Sequence, residues 1–470
     1  MPETEMLYES LALQLHQRIQ SGALGAGARV PSVRDMSRQV GVSIGTVVQA
    51  YHHLEAQGVI EARPQSGYYV RAMRLPGITQ QRTRAAPRPR SPSRSLLDQV
   101  LAVYARDDLV PLHSATPSPA ILPTAKLSAI SRDLLRRIPD RISGYLHPPG
   151  LPALREQIAR RLNLAGVEVD ADDVMITAGA MEAITLSLQV LTRRGDVVMV
   201  ERPTYYGLMQ AIEARGLKVV EIPNCCDDGP DLELALKALA TQPIRAAVLI
   251  PSFSNPSGAN MPDDARRVLA QACAAHGVPV IEDDVYGELG FDGRRPVPMK
   301  AYEGSQGGVI LCGSVSKIMA PGLRIGWTVS ARWREELIRA KAFTSCSTPT
   351  LSQYVVTEMF SGAHIERPLR RLRAELAANV VRFHEQIAAH WPAGTRVSRP
   401  RGGVVLWVQL PSGHDAHVLF EHALAAGIGI IPGTLFSSSG AYRDCVRLSC
   451  ASAWDDRTEQ ALRKLGELAA

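Results

Sequence analysis

The strand-like run VILC at 309–312 leads into Gly313-Ser314-Val315-Ser316-Lys317, and Arg324 follows seven residues later in PGLRIGW. A lysine at a strand end, beside small hydroxyl residues and an arginine, can hold an aldehyde cofactor. The amine of Lys317 would form a Schiff base, while the hydroxyls of Ser314 and Ser316 and the guanidinium of Arg324 would take a phosphate. Only seven of the 52 basic residues are lysine, so a lysine at this place is less casual than usual. Two other readings fit the same residues. One is a surface lysine after a strand. The other is the S-x-x-K pair of penicillin-recognising acyl enzymes, through Ser314 and Lys317, but neither S-D-N nor K-T-G occurs in the chain.

Three further groups extend the first reading. Ile281-Glu282-Asp283-Asp284-Val285-Tyr286 closes another apolar run. An aspartate such as Asp283 can pair with a protonated pyridine nitrogen and keep it cationic, which makes the ring an electron sink. Tyr286, three residues on, can donate to a ring phenolic oxygen, and so can Asn255 in Ser254-Asn255-Pro256-Ser257-Gly258. The turn Thr177-Ala178-Gly179-Ala180-Met181 follows VMIT and opens a helix, so its free N–H groups suit a phosphate. Each piece alone is common. Four of them, each after a strand-like run, form a specific combination.

The elements that must position these residues alternate. VMIT (174–177), VVMV (197–200), AAVLI (246–250), VPVIED (278–283) and VILCGS (309–314) read as strands, with helical patterns between them. That alternation predicts an α/β fold with a mainly parallel sheet. At roughly 150 residues per domain, 470 residues allow about three units. Hydrophobic content of 46% and charged content of 21% are ordinary for globular protein. No apolar run approaches the ~18 residues of a membrane span. The start MPETEMLYES carries three Glu and no basic residue, unlike a signal peptide, so a cytoplasmic location is expected. The seven cysteines, at 225, 226, 273, 312, 346, 445 and 450, form no C-x-x-C pair. Neither disulfides nor a metal site is expected. Cys225-Cys226 reads as two free thiols, with a redox role as the alternative.

Charge is unevenly placed. Residues 1–95 hold 12 Arg, no Lys and 6 acids, while residues 96–470 hold 40 basic and 40 acidic residues. A basic module on a neutral body is the electrostatic footprint of a nucleic-acid binder. A solvated basic tail is the other reading, since six of those Arg lie between 74 and 94. Leu7, Leu11, Leu15 and Ile19 mark one helix stripe. Ser32 can cap a second helix, with Asp35 completing a capping box and Val33, Met36 and Val40 on its buried side. Gly41-Val42-Ser43 is a turn, and Ser43 caps a third helix whose Val47, Tyr51 and Leu54 share a side and which Gly58 ends.

Such a pair of helices makes a helix-turn-helix, whose second helix reads the major groove from its N-terminal end. Here that end presents Ser43, Ile44, Gly45, Thr46, Val48 and Gln49. VIEARPQSGYYV then reads as two strands around Pro64–Gly67, the wing of a winged helix. Ser32 and Arg34, at a helix start, are placed to hold a DNA phosphate. A three-helix interaction domain would share this periodicity. Residues 72–95 are rich in Arg, Pro and Ser and have no acid, so they read as a stiffened, charge-extended linker.

Two resemblances sharpen this reading. The stretch GARVPSVRDMSRQVGVSIGTVVQAYHHLEAQG, followed by RPQSGYYV, closely resembles the winged-helix head of the GntR regulators and covers nearly all of residues 6–71. Many relatives carry Arg or another polar residue where this chain has Ile44-Gly45. Base reading there would rest on apolar contact, as with a thymine methyl, and on close backbone approach. The body resembles a fold-type I, class I/II aminotransferase over essentially all of 110–460. That resemblance implies pyridoxal 5'-phosphate as cofactor, with Lys317 as the Schiff-base lysine and Asp283 facing the pyridine nitrogen. It implies Asn255 and Tyr286 at the phenolic oxygen, and Ser314, Ser316, Arg324 and the Gly179-Ala180-Met181 turn at the phosphate. Tyr205 in ERPTYYG would stack on the ring. Tyr145 in YLHPPGLPALR would reach the phosphate of a partner subunit, and Arg447 in VRLS would grip a substrate α-carboxylate.

Together the two identify the chain with the MocR subfamily of GntR regulators. What that implies is a homodimer on promoter DNA whose body senses an amino compound, or the cofactor itself, through aldimine exchange at Lys317. The expected divisions are a winged helix-turn-helix over 1–71, a linker over 72–95 and an aminotransferase-like domain over 96–470. Its large part would span about 145–335, and a smaller α+β part would come from about 96–140 and 336–470. A catalytically active aminotransferase that also binds DNA is the alternative.

Overall fold

The structure is a computed structural model that describes residues 7–20, 24, 27–63, 66–70, 96–225, 228–305 and 307–470. The linker expected over 72–95 lies outside the described residues, as does Cys226. The chain divides into two units, Met1–Ser91 and Pro92–Ala470.

The first unit holds three helices, α1 (Leu7–Gln20), α2 (Val33–Val40) and α3 (Ile44–Ala56), and the antiparallel strands β1 (Ile60–Arg63) and β2 (Gly67–Val70). Both caps form as expected. Ser32 accepts from the Asp35 N–H and Ser43 from the Thr46 N–H, each relieving an orphan donor of a first turn. Gly41 and Gly58 take positive φ after their helices, at 74° and 71°. The core gathers Leu11, Leu15, Met36, Val47, Tyr51, Leu54, Ile60 and Val70. Each such buried side chain contributes roughly 1.5–3 kcal/mol. Val40 departs from the expectation: at the last position of the eight-residue α2, before the Gly41 cap, it is 42% exposed.

The second unit is built on an eight-stranded sheet. Its strands are β3 (Val174–Thr177), β4 (Val197–Arg202), β5 (Lys218–Cys225), β6 (Gly229–Pro230), β7 (Ile244–Leu249), β8 (Val280–Asp283), β9 (Val309–Ser314) and β10 (Gly326–Val329). They lie in the order β3-β10-β9-β8-β7-β4-β5-β6. β10 runs antiparallel to β3 and β9, and β6 antiparallel to β5; the remaining pairs are parallel. β3, β4, β7, β8 and β9 therefore end on one edge, where ligands of open α/β sheets bind. β3, β7 and β9 are mostly apolar and buried, as strands covered on both faces must be, and β8 is buried throughout although it ends on Glu282 and Asp283.

A second, antiparallel sheet joins β11 (Arg396–Val397), β12 (Val405–Gln409), β14 (Cys445–Ser449) and β13 (Ile431–Pro432) in that order. Its core includes Val100, Val103, Leu112, Phe383, Phe420 and Leu462. Leu122, Leu127 and Leu134, and Leu337 through Leu376, pack instead into the core of the large sheet. These two segments were expected in the smaller part. Helix Thr124–Arg137 packs on helix Thr350–Phe360, which also meets helix Pro152–Leu164, while helix Arg334–Thr344 meets helix Ala180–Leu191 and β3.

Candidate cofactor and DNA-binding sites

A cavity of about 620 Å³ opens at the strand-end edge of the large sheet. Ala180, Met181, Tyr205, Asn255, Asp283, Tyr286, Ser314, Ser316, Lys317 and Arg324 all line it. Strand geometry selects Asp283 from its neighbours. Successive side chains point to opposite faces, so Glu282 and Asp284 turn away from Asp283. Glu282 accepts the Met299 and Lys300 N–H groups at 2.7 and 3.0 Å, and Asp284 pairs with Arg295. Arg295 also pairs with Glu288, which in turn holds Arg161 and Arg373. Asp283 alone faces the cavity. Burial pushes its carboxyl up to about 7, partly offset by the Val285 N–H and by Lys317. A cation set against it would restore the carboxylate.

Lys317 Nζ donates to Ala115 O at 2.8 Å and to Thr116 Oγ1 at 3.2 Å, and lies 5.9 Å from the Tyr286 ring centre. Burial lowers its amine to about 8; Asp283 opposes that shift, and Arg447 and Arg324 add to it. A neutral, nucleophilic amine is thus available near neutral pH. Burial raises the Tyr286 phenol, and a hydrogen bond from Asn255 offsets part of the rise. The loop carrying Asn255 is clamped by Arg266, which is fully buried. It donates to Met261 O, Pro251 O, Val297 O, Ser252 Oγ and Asn260 Oδ1 at 2.8–3.0 Å.

At the phosphate end, Gly179 has φ +86° before helix Ala180–Leu191. A Cβ there would stand 2.5 Å from Arg324 Nη2, which donates to Ala178 O at 2.7 Å. Only glycine permits both the backbone conformation and the close approach of the guanidinium. Arg324 itself holds a left-handed backbone, φ 52°. The Ser316 N–H donates to Ser314 Oγ at 3.3 Å, drawing both serines to the same rim.

Three expected residues stand outside this lining: Gly179, behind the turn already described, Arg447 and Tyr145. Arg447, on β14, is buried and donates through Nη2 to His113 O, while its Nε and Nη1 have no hydrogen-bond partner among the described residues. Its charge acts on Lys317, Tyr205 and Tyr286, so it faces the same space. Tyr145 is 75% exposed and touches none of its own cavity. Sequence reasoning missed Thr116, Tyr104, Tyr206, His113 and Arg266. Thr116, Tyr104 and His113 meet Lys317, Tyr206 and Arg447 across long stretches of chain, Arg266 finds its carbonyls only when its loop folds back on it, and only the adjacent tyrosines of ERPTYYG gave a signal. Tyr206 donates to Tyr104 Oη at 2.8 Å, and Tyr104 donates to His113 O at 3.1 Å.

In the head, the N-terminal end of α3 lies open. Ser43, Ile44, Gly45 and Gln49 are exposed and Thr46 is half-buried. Ser43 Oγ also contacts Thr46 Oγ1 at 2.8 Å, so these two hydroxyls are engaged in the cap itself. A Cβ on Gly45 would meet only Ser43 Oγ, at 3.7 Å, so nothing within the head requires glycine there. Arg34 is exposed at the start of α2, whereas Ser32 Oγ donates to Asp35 Oδ2 at 2.6 Å within the capping box. At the wing, Gly67 has φ +103°, and a Cβ would approach Arg29 Nη2 at 3.5 Å. Arg63 covers the Tyr69 ring at 4.4 Å, a second wing arginine that the sequence reading did not single out.

The sequence matches two family profiles. One is the bacterial regulatory proteins of the gntR family, over residues 7–70, and the other is aminotransferase class I and II, over residues 111–465. YjiR of Escherichia coli strain K12, named as an HTH-type transcriptional regulator, is 35% identical over 98% of each chain. The chain belongs to the MocR subfamily of GntR-type regulators. Its body is also similar to solved aminotransferases. LysN, the α-aminoadipate aminotransferase of Thermus thermophilus solved with N-(5'-phosphopyridoxyl)-L-leucine, has a TM-score of 0.72 and 30% identity. That likeness covers 80% of this chain and 95% of that one. The multiple substrate aminotransferase of Thermococcus profundus has a TM-score of 0.74 and 25% identity, over 80% and 95%.

The cofactor of this MocR-type body is pyridoxal 5'-phosphate. Its residues fit that group. Among the described residues Asn255 Oδ1 is buried without a partner, burial raises the Asp283 carboxyl in a way that a cationic ring nitrogen would offset, and glycine at 179 leaves room for the Arg324 guanidinium at the phosphate end. No helix among the described residues is long and apolar enough to cross a membrane. No metal-ligating cluster occurs among the described residues.

Proposed function

We propose that this chain is a pyridoxal-phosphate-dependent regulator of promoter DNA whose body senses an amino compound that competes with Lys317 for the bound cofactor. The cofactor supplies an aldehyde carbon for amines and a ring that draws electrons. Lys317 would be the residue that holds that carbon, and an effector's amine would compete with it there. Asp283 keeps the ring nitrogen protonated, and Asn255 and Tyr286 steady the phenolic oxygen. Tyr205 stacks on the ring. Ser314, Ser316, Arg324 and the N–H groups of Ala180 and Met181, behind Gly179, hold the phosphate. Arg447 takes the effector's carboxylate by paired hydrogen bonds.

The observation that carries this reading is Arg447: a buried guanidinium with Nε and Nη1 unpartnered, electrically coupled to Lys317. A buried unpaired cation is costly, and a carboxylate bearing an amine would relieve it while meeting the lysine. In the head, Arg34 and the exposed end of α3, through Ser43, Thr46 and Gln49, contact DNA, with the Gly67 wing beside them. The protein works as a homodimer, in which the exposed Tyr145 reaches the partner's phosphate. It acts in the cytoplasm, on the nucleoid when DNA-bound.

An effector can shift DNA affinity only by its differential affinity for two arrangements of the protein. Operator binding measured with and without amino acids, alongside turnover with a keto acid, tests the reading. Amino-acid-dependent operator binding without sustained keto-acid exchange is expected. The intact Lys317, with its amine lowered to about 8, favours a second reading as an active aminotransferase, and sustained exchange would establish it. A third outcome, different operator binding by cofactor-free and cofactor-loaded protein without any amine, would make the cofactor itself the signal.

A further inference from the structure

Helix Leu96–Tyr104 is apolar on two faces. Val100 and Val103 are buried in the core of the small sheet. Leu97, Leu101 and Tyr104, spaced i, i+4 and i+7, line the cavity that holds the lysine, Leu97 while also packing against that core. Leu101 is 55% exposed and Tyr104 42% exposed, so these two cover space rather than protein. Tyr206 and Gln210 complete the wall. Among the described residues, the charged groups lining this cavity are Asp283, Lys317 and Arg324, each already assigned at the cofactor end.

The tyrosine hydroxyls of the wall are engaged, and Gln210 Nε2 donates to Glu213 Oε2 at 3.3 Å. The Tyr206 hydroxyl donates to Tyr104 Oη and the Tyr104 hydroxyl to His113 O, the same carbonyl that accepts from Arg447 Nη2. Burial lowers the His113 imidazole to about 4, so it stays neutral and offers no cation to a distal acid. The chain of bonds also ties the side-chain wall to the carboxylate anchor.

From this juxtaposition we infer that the effector is an α-amino acid with a large uncharged apolar side chain, aliphatic or aromatic, seated against Leu97, Leu101 and Tyr104. This inference rests on the reading that an amino acid binds at Lys317. An acidic or basic side chain lying on this wall would meet no counter-charge among the described residues, whereas an apolar one would shield the exposed Leu101 and Tyr104 surface from water.

The test is a titration of full-length, cofactor-loaded protein with L-leucine, L-phenylalanine, L-glutamate and L-lysine, followed by the absorbance of the lysine-bound cofactor. Leucine and phenylalanine are expected to act at concentrations at least ~10-fold lower than glutamate and lysine, on the scale by which a pocket rejects an unpaired charge. Leu101→Arg, at an exposed position, should reverse the order in favour of glutamate. A charged amino acid acting as well as leucine, or a response indifferent to side chain, overturns this inference and leaves the lysine reading standing. Silence towards all four amino acids overturns both.

Discussion

In the head, Ile44 and Gln49 stand in solvent on the first turns of a capped helix. In the body, Lys317, Asp283 and Tyr286 sit at or just beyond the ends of buried strands. A DNA-reading surface must stay open, because groove and phosphates arrive from outside and contribute most of the charge. A cofactor site must be dry, because burial is what lowers the Lys317 amine and raises the Asp283 carboxyl. The difference teaches where each region is sensitive. The body should respond to single changes in an all-or-none way, and the head in graded steps.

The largest expected effect is at Lys317. Lys317→Ala should abolish the near-visible absorbance of lysine-bound cofactor while the far-ultraviolet circular dichroism stays native; a persisting band would remove the lysine from its role. Arg447→Met comes next. Losing charge-assisted bonds to a carboxylate should raise the half-saturating amino-acid concentration about 100-fold, with cofactor binding kept. An unchanged titration would detach Arg447 from the effector.

The third effect is graded by pH. Because the Lys317 amine is lowered to about 8, only its unprotonated fraction attacks the aldehyde. The initial rate of cofactor loading onto cofactor-free protein, followed by stopped-flow absorbance, should rise about tenfold per pH unit below that value and level off above it. A rate still climbing at that slope to pH 10 would place the amine in an ordinary, solvated setting.

The head should yield smaller changes. Arg34→Ala should weaken DNA binding on all sequences alike and reduce the salt slope by about 1, as measured by titrations at several salt concentrations. A changed preference at one operator position would make Arg34 a base reader instead. Ser43→Ala removes an N-cap and should cost about 1 kcal/mol, read as faster hydrogen exchange of α3 amides with the body's exchange unchanged. Equal exchange would show that the Thr46 contact contributes nothing to the cap.

Much of this division was legible in the sequence because the signals were local. Ser32 with Asp35 and Ser43 with Thr46 are three residues apart, and so are Asp283 and Tyr286, and each pair marks its own element. VILCGS was read with the bounds of β9 because an apolar run between turn residues has little choice. The rest depended on the fold. Nothing near His113 announces that its carbonyl meets Arg447, 334 residues on. Arg266 reads as one more helical arginine until the loop around Asn255 closes over it. Leu97, Leu101 and Tyr104 look like an ordinary helix stripe, and only the packing of Val100 and Val103 shows that they face a cavity. The segments 122–134 and 337–376 were expected with the wrong core because their partner helices are distant in sequence.

The central claim is that events at Lys317 reach the DNA-binding head. Its most direct test follows operator binding and lysine-bound cofactor absorbance in one sample of full-length protein as an amino acid is added. The account predicts that both signals change with the same half-saturating concentration, and that Lys317→Ala abolishes the two responses together. Operator affinity that stays constant while the absorbance titrates to completion would contradict it.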